Sequence, residues 1–118
     1  MKQLKIGVCA GRHEMPCTEF VFPKEINPLN VRALEYHAYE SLQKIAKQNG
    51  LERSACVESP CHSVEYVVYL YDVEVRLYVT GLTVAVVAAL KAAPALFASI
   101  SLMHYDKNSN SYYEQVWK

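Results

Sequence analysis

The sequence predicts an α/β fold: a single domain over residues 1–118, built on a mixed β-sheet with two main helices (about 28–49 and 82–93) and a C-terminal β-hairpin. Three observations carry this expectation. An amphipathic stretch after Asn27 and Pro28 runs to Gly50; a β-rich segment meets Gly81 and gives way to a small-residue apolar run halted by Pro94; and a polar loop separates two β-rich segments near the end. A strand, helix, strand order of this kind points to parallel strands joined by helical crossovers.

Each element has a local reason. Residues 5–10 form a short apolar run ending at Gly11, the pattern of a buried strand, and residues 19–22 form a second short strand closed by Pro23. In the first helix Asn27 is placed as cap, Pro28 suits the first turn, and Gly50 ends the helix in a left-handed conformation. Between them Val31, Leu34, Ala38, Leu42 and Ile45 recur at spacings of three and four, which makes one apolar stripe. Residues 51–63 read as a polar connection. Segments 64–71 and 73–79 are rich in Val and Tyr, with Asp72 as a break or bulge between them. In the second of these, Val73, Val75, Leu77 and Val79 alternate with Glu74, Arg76, Tyr78 and Thr80, so opposite faces receive opposite chemistry. The helix at 82–93 is apolar nearly all round, which requires cover on both sides from its own fold or from another subunit. Residues 96–105 and 112–117 flank the loop 106–111 as a hairpin.

Composition narrows the function classes. Apolar residues make up 52% and charged residues 20%, a balance that favours a buried core over disorder. Lys+Arg and Asp+Glu number 12 each, so the surface lacks the positive field a binder of long nucleic acid needs. The run 82–102 is interrupted by Lys91, Pro94, Ser99 and Ser101, which fits a helix followed by a strand better than a membrane span. The opening residues lack a signal peptide's apolar stretch and cleavage site, so a cytoplasmic location with reduced thiols is expected. Cys56, Cys61 and His62 read C-x4-C-H, wider than a zinc knuckle's spacing, and Cys9, His13 and Cys17 are scattered. No metal and no cofactor is expected.

The residues that point to chemistry sit at three strand ends: Gly11-Arg12-His13, Thr80-Gly81-Leu82-Thr83 and His104-Tyr105-Asp106. If those strands are parallel neighbours, the three groups share one rim, where open sheets bind ligands. Gly81 permits a sharp bend and close approach by a ligand. The helix start after it offers unpaired N–H groups at the positive end of the dipole, with the Thr83 hydroxyl alongside, an arrangement that accepts a phosphate. Arg12 adds a cation, while His13, His104 or Asp106 can orient a ribose or move a proton. Tyr105, Tyr112 and Tyr113 can stack on a base. Each group also has an ordinary reading: Thr83 as helix cap, His104 as a strand residue, Asp106 as the opener of an Asx turn. No nucleophile elbow, Walker loop or His-Glu-x-x-His motif is present.

The run from Leu77 through Thr80-Gly81-Leu82-Thr83 to Ala85, followed by His104-Tyr105-Asp106 and Tyr112-Tyr113-Glu114-Gln115, resembles small proteins that handle nucleotide immune signals in bacteria and phages. One group is the minimal CARF-like CRISPR-associated ring nucleases. The other is the compact phage proteins that sequester Thoeris or CBASS signals, which the opening Cys9-Ala10-Gly11-Arg12-His13-Glu14-Met15-Pro16 also resembles. The resemblance spans about residues 1–50 and 73–117. It implies a signal-binding turn at Thr80-Gly81 and, if the chain is an enzyme, Asp106 as the active-site aspartate. The ring nucleases carry a histidine late in the helix, where this chain has Ala92-Ala93-Pro94-Ala95-Leu96-Phe97. Binding without turnover is the function this departure leaves intact.

Three readings follow. The leading one is a homo-oligomeric protein that sequesters a cyclic ADP-ribose isomer or cyclic oligonucleotide, acting in the host cytoplasm if phage-encoded. Its ligand contacts would come from Arg12, His13, Thr80, Gly81, Leu82, Thr83, Tyr105 and Tyr112. The second is a ring nuclease in which His104 or His13 replaces the missing histidine. The third is an oligomeric structural module with the 82–93 helix as its interface.

Overall fold

Both helices lie on one face of a six-stranded mixed sheet in the computed structural model, which describes residues 2–11, 14–61 and 64–118. In chain order the elements are β1 (Lys2–Cys9), β2 (Glu19–Phe22), α1 (Val31–Gln48), β3 (Arg53–Cys61), β4 (Val64–Tyr78), α2 (Thr83–Ala92), a 3₁₀ turn (Ala93–Ala95), β5 (Phe97–Asp106) and β6 (Ser111–Val116). The sheet order is β2-β1-β4-β5-β6, with β3 paired to β4 off this path. β2, β1, β4 and β5 run parallel, while β6 returns antiparallel along β5 as the expected C-terminal hairpin.

β4 serves two sets of partners. Its first half, through Tyr71, pairs antiparallel with β3; from Val73 onward it pairs with β1. Residues 53–61 are therefore a strand and not the polar connection expected. They lack a self-evident apolar alternation, and their extended form comes from the Val- and Tyr-rich strand across from them, a non-local cause. Asp72, expected as a break or bulge, does not break the strand, which is continuous over Val64–Tyr78; the bulge alternative is the one that holds. Pairing with β5 shifts register between Tyr71 and Glu74, on either side of it.

The first helix starts three residues later than its first cap candidate. Asn30 is the cap, its Oδ1 accepting from Ala33 N at 3.2 Å. Asn27 Oδ1 instead accepts from Leu29 N at 3.1 Å and shapes the approach through Pro28. Asn30→Ala is expected to cost about 1 kcal/mol in urea unfolding, with Asn27→Ala costing less. The stripe Leu34, Ala38, Leu42 and Ile45 is buried and Ala46 joins it, whereas Val31 is 46% exposed at the helix start. Gly50 follows with φ +71°, the left-handed stop.

α2 turns a face of alanines inward: Ala85, Ala88, Ala89 and Ala92 are buried. Side chains this small let the helix approach the sheet closely, and its flank packs on α1, where Lys91 Nζ meets Glu35 Oε1 at 2.9 Å. α1 is thus the cover that an apolar helix needed. Beneath both helices Ile6, Val8, Val73, Val75, Leu77, Phe97 and Ile100 form the core with Leu42 of α1. Among the described residues no helix is long and apolar enough to cross a membrane.

A candidate ligand rim at a strand-order reversal

β1, β4 and β5 are parallel neighbours, so their carboxyl ends lie along one edge, as the sequence required for a shared rim. The chain leaves β1 toward β2 and leaves β4 in the opposite direction toward β5. Right-handed crossovers in opposite directions must use opposite faces of the sheet. They do: α2 lies on the helical face, while Glu14 reaches the other face, where its carbonyl accepts from Tyr112 Oη at 3.1 Å. The gap between β1 and β4 is a topological switch point, the position at which open α/β sheets leave a crevice.

Thr80 holds that gap in place. Ladder pairing between β1 and β4 ends at Gly7 and Tyr78. Two residues on, the buried Thr80 hydroxyl donates to Cys9 O at 3.1 Å and accepts from Cys9 N at 3.4 Å. A side chain therefore stands in for the next backbone rung, and the β4 backbone is released into the Gly81 bend, where φ is +87°. Only a residue without Cβ adopts that angle cheaply. The Thr80 hydroxyl is thus committed to the sheet, so what Thr80 can offer a ligand is backbone.

The helix that follows has an unusual start. Its N-cap is Leu82, in extended conformation and making no side-chain cap hydrogen bond. Thr83 occupies the first helical position and is not the cap. The first helical donors are Ala85 N and Val86 N, both to Leu82 O at 3.0 and 3.2 Å. The Thr83 and Val84 amides precede them, at the positive end of the dipole and beside an exposed Gly81. Leu82 is itself 40% exposed, an apolar side chain where Ser, Thr, Asp or Asn would be more stable.

The remaining candidates divide between the two sides of the rim. Alternation along β5 sends His104 to the helical side and Tyr105 to the open side. His104 stacks on Tyr113 with ring centroids 5.3 Å apart and shares a 2.7 Å hydrogen bond with Gln115 Oε1. Asp106 closes the hairpin turn: Oδ1 accepts from Asn108 N at 3.0 Å and Oδ2 from Ser109 Oγ at 2.9 Å. On the open side Tyr105 donates to Asn110 Oδ1, and Tyr112 packs against both Tyr105 and Tyr78, at 5.3 and 4.9 Å between ring centroids. Arg12 and His13 lie outside the described residues, as does His62.

Sequence reasoning missed the cover on the open side. Phe20 and Met15 cover Gly7, at which a Cβ would fall 2.5 Å from a Phe20 ring carbon and 3.1 Å from Met15 Sδ, and Cys17 Sγ lies 3.8 Å from that sulfur. The signal was present, since a glycine in mid-strand marks close approach by another group. Burial pushes the Tyr78 and Tyr112 hydroxyls up from their usual range; Arg76 partly offsets this at Tyr78, and charge on the Cys17 sulfur adds to it at both. Burial likewise raises the Cys17 thiol from its ordinary value. Among the described residues no group of three or more His, Cys, Asp or Glu is placed to hold a metal ion.

The chain matches no family model, no curated protein and no solved structure.

Proposed function

We propose that this chain binds a small cyclic nucleotide signal, a cyclic ADP-ribose isomer or a cyclic oligonucleotide, at the β1/β4 switch point and sequesters it without cleavage. The observation that carries this reading is the helix start beside Gly81: N–H groups with no side-chain cap, at the position where the strand order reverses. A phosphate placed there would take the role that Leu82 cannot. Tyr105 and Tyr112, on the open side of the sheet near the ends of β5 and β6, are the aromatic rings this reading would use for a base or ribose.

Binding is favoured over cleavage by the state of the acid–base candidates. Both Asp106 oxygens accept hydrogen bonds inside their own turn, and His104 is engaged with Gln115 and Tyr113. A general acid or base must reach the proton it moves, and these two are held by the hairpin.

Incubating the purified protein with a panel of both ligand classes, then analysing bound and heat-released material by mass spectrometry, tests the reading. Intact ligand should be recovered, and the melting temperature should rise with ligand concentration. Leu82→Asp provides the decisive variant. Its carboxylate caps the helix, so the free protein should gain about 1 kcal/mol of stability. The same charge repels a phosphate, so affinity should fall roughly tenfold or more. Linear products, or binding unchanged in Leu82→Asp, would overturn the proposal.

A further inference from the structure

The β3–β4 ribbon extends beyond the part of the sheet that the helices cover, and its two faces are unequal. Antiparallel partners share a face, so Arg53 with Tyr71, Ala55 with Tyr69 and Val57 with Val67 all look to the helical side. Glu65, two residues before Val67 on β4, looks the same way. Toward its base the opposite face is occupied within the chain, although Val64 and Tyr66 nearer the tip are exposed: Leu70 is buried, and Lys118 Nζ reaches Glu58 Oε1 at 2.7 Å and the Pro94 and Phe97 carbonyls at 2.8 and 3.2 Å. The helical-side face has no such cover. Val57 is 67% exposed, Val67 58% and Tyr69 64%, all adjacent on a two-stranded ribbon. Such a ribbon is marginally stable in water unless something packs on it.

Charge identifies the partner. Arg53 lies at the base of this face, Ala55, Val57, Val67 and Tyr69 in the middle, and Glu65 toward the tip. Both ends are exposed, and among the described residues neither Arg53 nor Glu65 has an ion-pair partner. Arg53 is already positioned, with its guanidinium 5.2 Å above the Tyr71 ring and bonded to Tyr39 Oη at 3.3 Å. A surface running from cation through apolar centre to anion is complementary to itself under a two-fold rotation. We infer that this face binds a second copy of the chain, ribbon face on ribbon face, with Arg53 of each copy opposite Glu65 of the other. Edge-to-edge pairing through β3 is disfavoured, because Pro60 has no N–H to give to a ladder.

The patch is small, so the dimer is expected to be weak, with a dissociation constant on the order of tens of micromolar. Sedimentation equilibrium of the full chain over a wide concentration range should show reversible dimers. Glu65→Arg sets two Arg–Arg contacts across the axis and should give a monomer, as should Arg53→Glu by the opposite sign. An equimolar mixture of the two variants should dimerise again, since each contact then joins unlike charges. Arg53→Glu also loses its tyrosine contacts, so Val67→Asp, a charge in the apolar centre, serves as an independent test that leaves Arg53 alone. Cooperative melting confirms that each variant is folded. A wild-type chain that stays monomeric at the highest concentration overturns the inference, and so does a dimer that survives both Glu65→Arg and Val67→Asp.

Discussion

Gly7→Val should lower stability by about 3 kcal/mol, the upper end of what overpacking a closed site costs. The side chain would enter space already filled by the Phe20 ring and the Met15 sulfur, at 2.5 and 3.1 Å from its first carbon. Relief requires the ring or the cover at Met15 to leave the open face, and Tyr112 would then lose its bond to the Glu14 carbonyl. Equilibrium urea unfolding measures the loss. Pairing Gly7→Ala with Phe20→Ala separates a local clash from a general weakening of β1. If the clash is the cause, the double variant is less destabilised than the sum of the singles, with a coupling of about 1 kcal/mol or more. Strict additivity would show that Gly7 matters for some other reason.

The second large effect is expected at Thr80, where a side chain replaces a rung of the sheet. Thr80→Val keeps the shape and removes both hydrogen bonds to the buried Cys9 backbone, a loss of about 2 kcal/mol. Thr80→Ser keeps the hydroxyl and should remain within about 1 kcal/mol of the parent. This pair of variants bears on function as well as stability. The bond positions the Gly81 bend against β1, so Thr80→Val should loosen the rim and weaken any ligand held there, even though its hydroxyl touches no ligand. If Thr80→Val unfolds at the same urea concentration as the parent, the hydroxyl is not the tie that holds the crevice.

Much of this protein was legible in local patterns. The α1 stripe, the alternation in β4, the Gly50 and Gly81 bends and the hairpin around Asp106 each depend on residues close in sequence, whose spacing encodes a face or a turn. The cap was misplaced by three residues because Asn27 and Asn30 are equally suited as sequence; only the hydrogen bond to Ala33 distinguishes them. β3 was not legible, since its strand character is induced by β4 across the ribbon.

By itself the sequence determined the α/β class, both helices and the candidate bend at Gly81, because helix periodicity and positive-φ glycines are local properties. Only the tertiary structure decided that the strand order reverses beside that bend, that Thr80 bonds to Cys9 and not outward, and that α1 covers the flank of α2. Those facts depend on which strands become neighbours. Pairing between residues as far apart as Cys9 and Thr80 is settled by how a whole sheet buries its faces, and no short window of sequence contains that information.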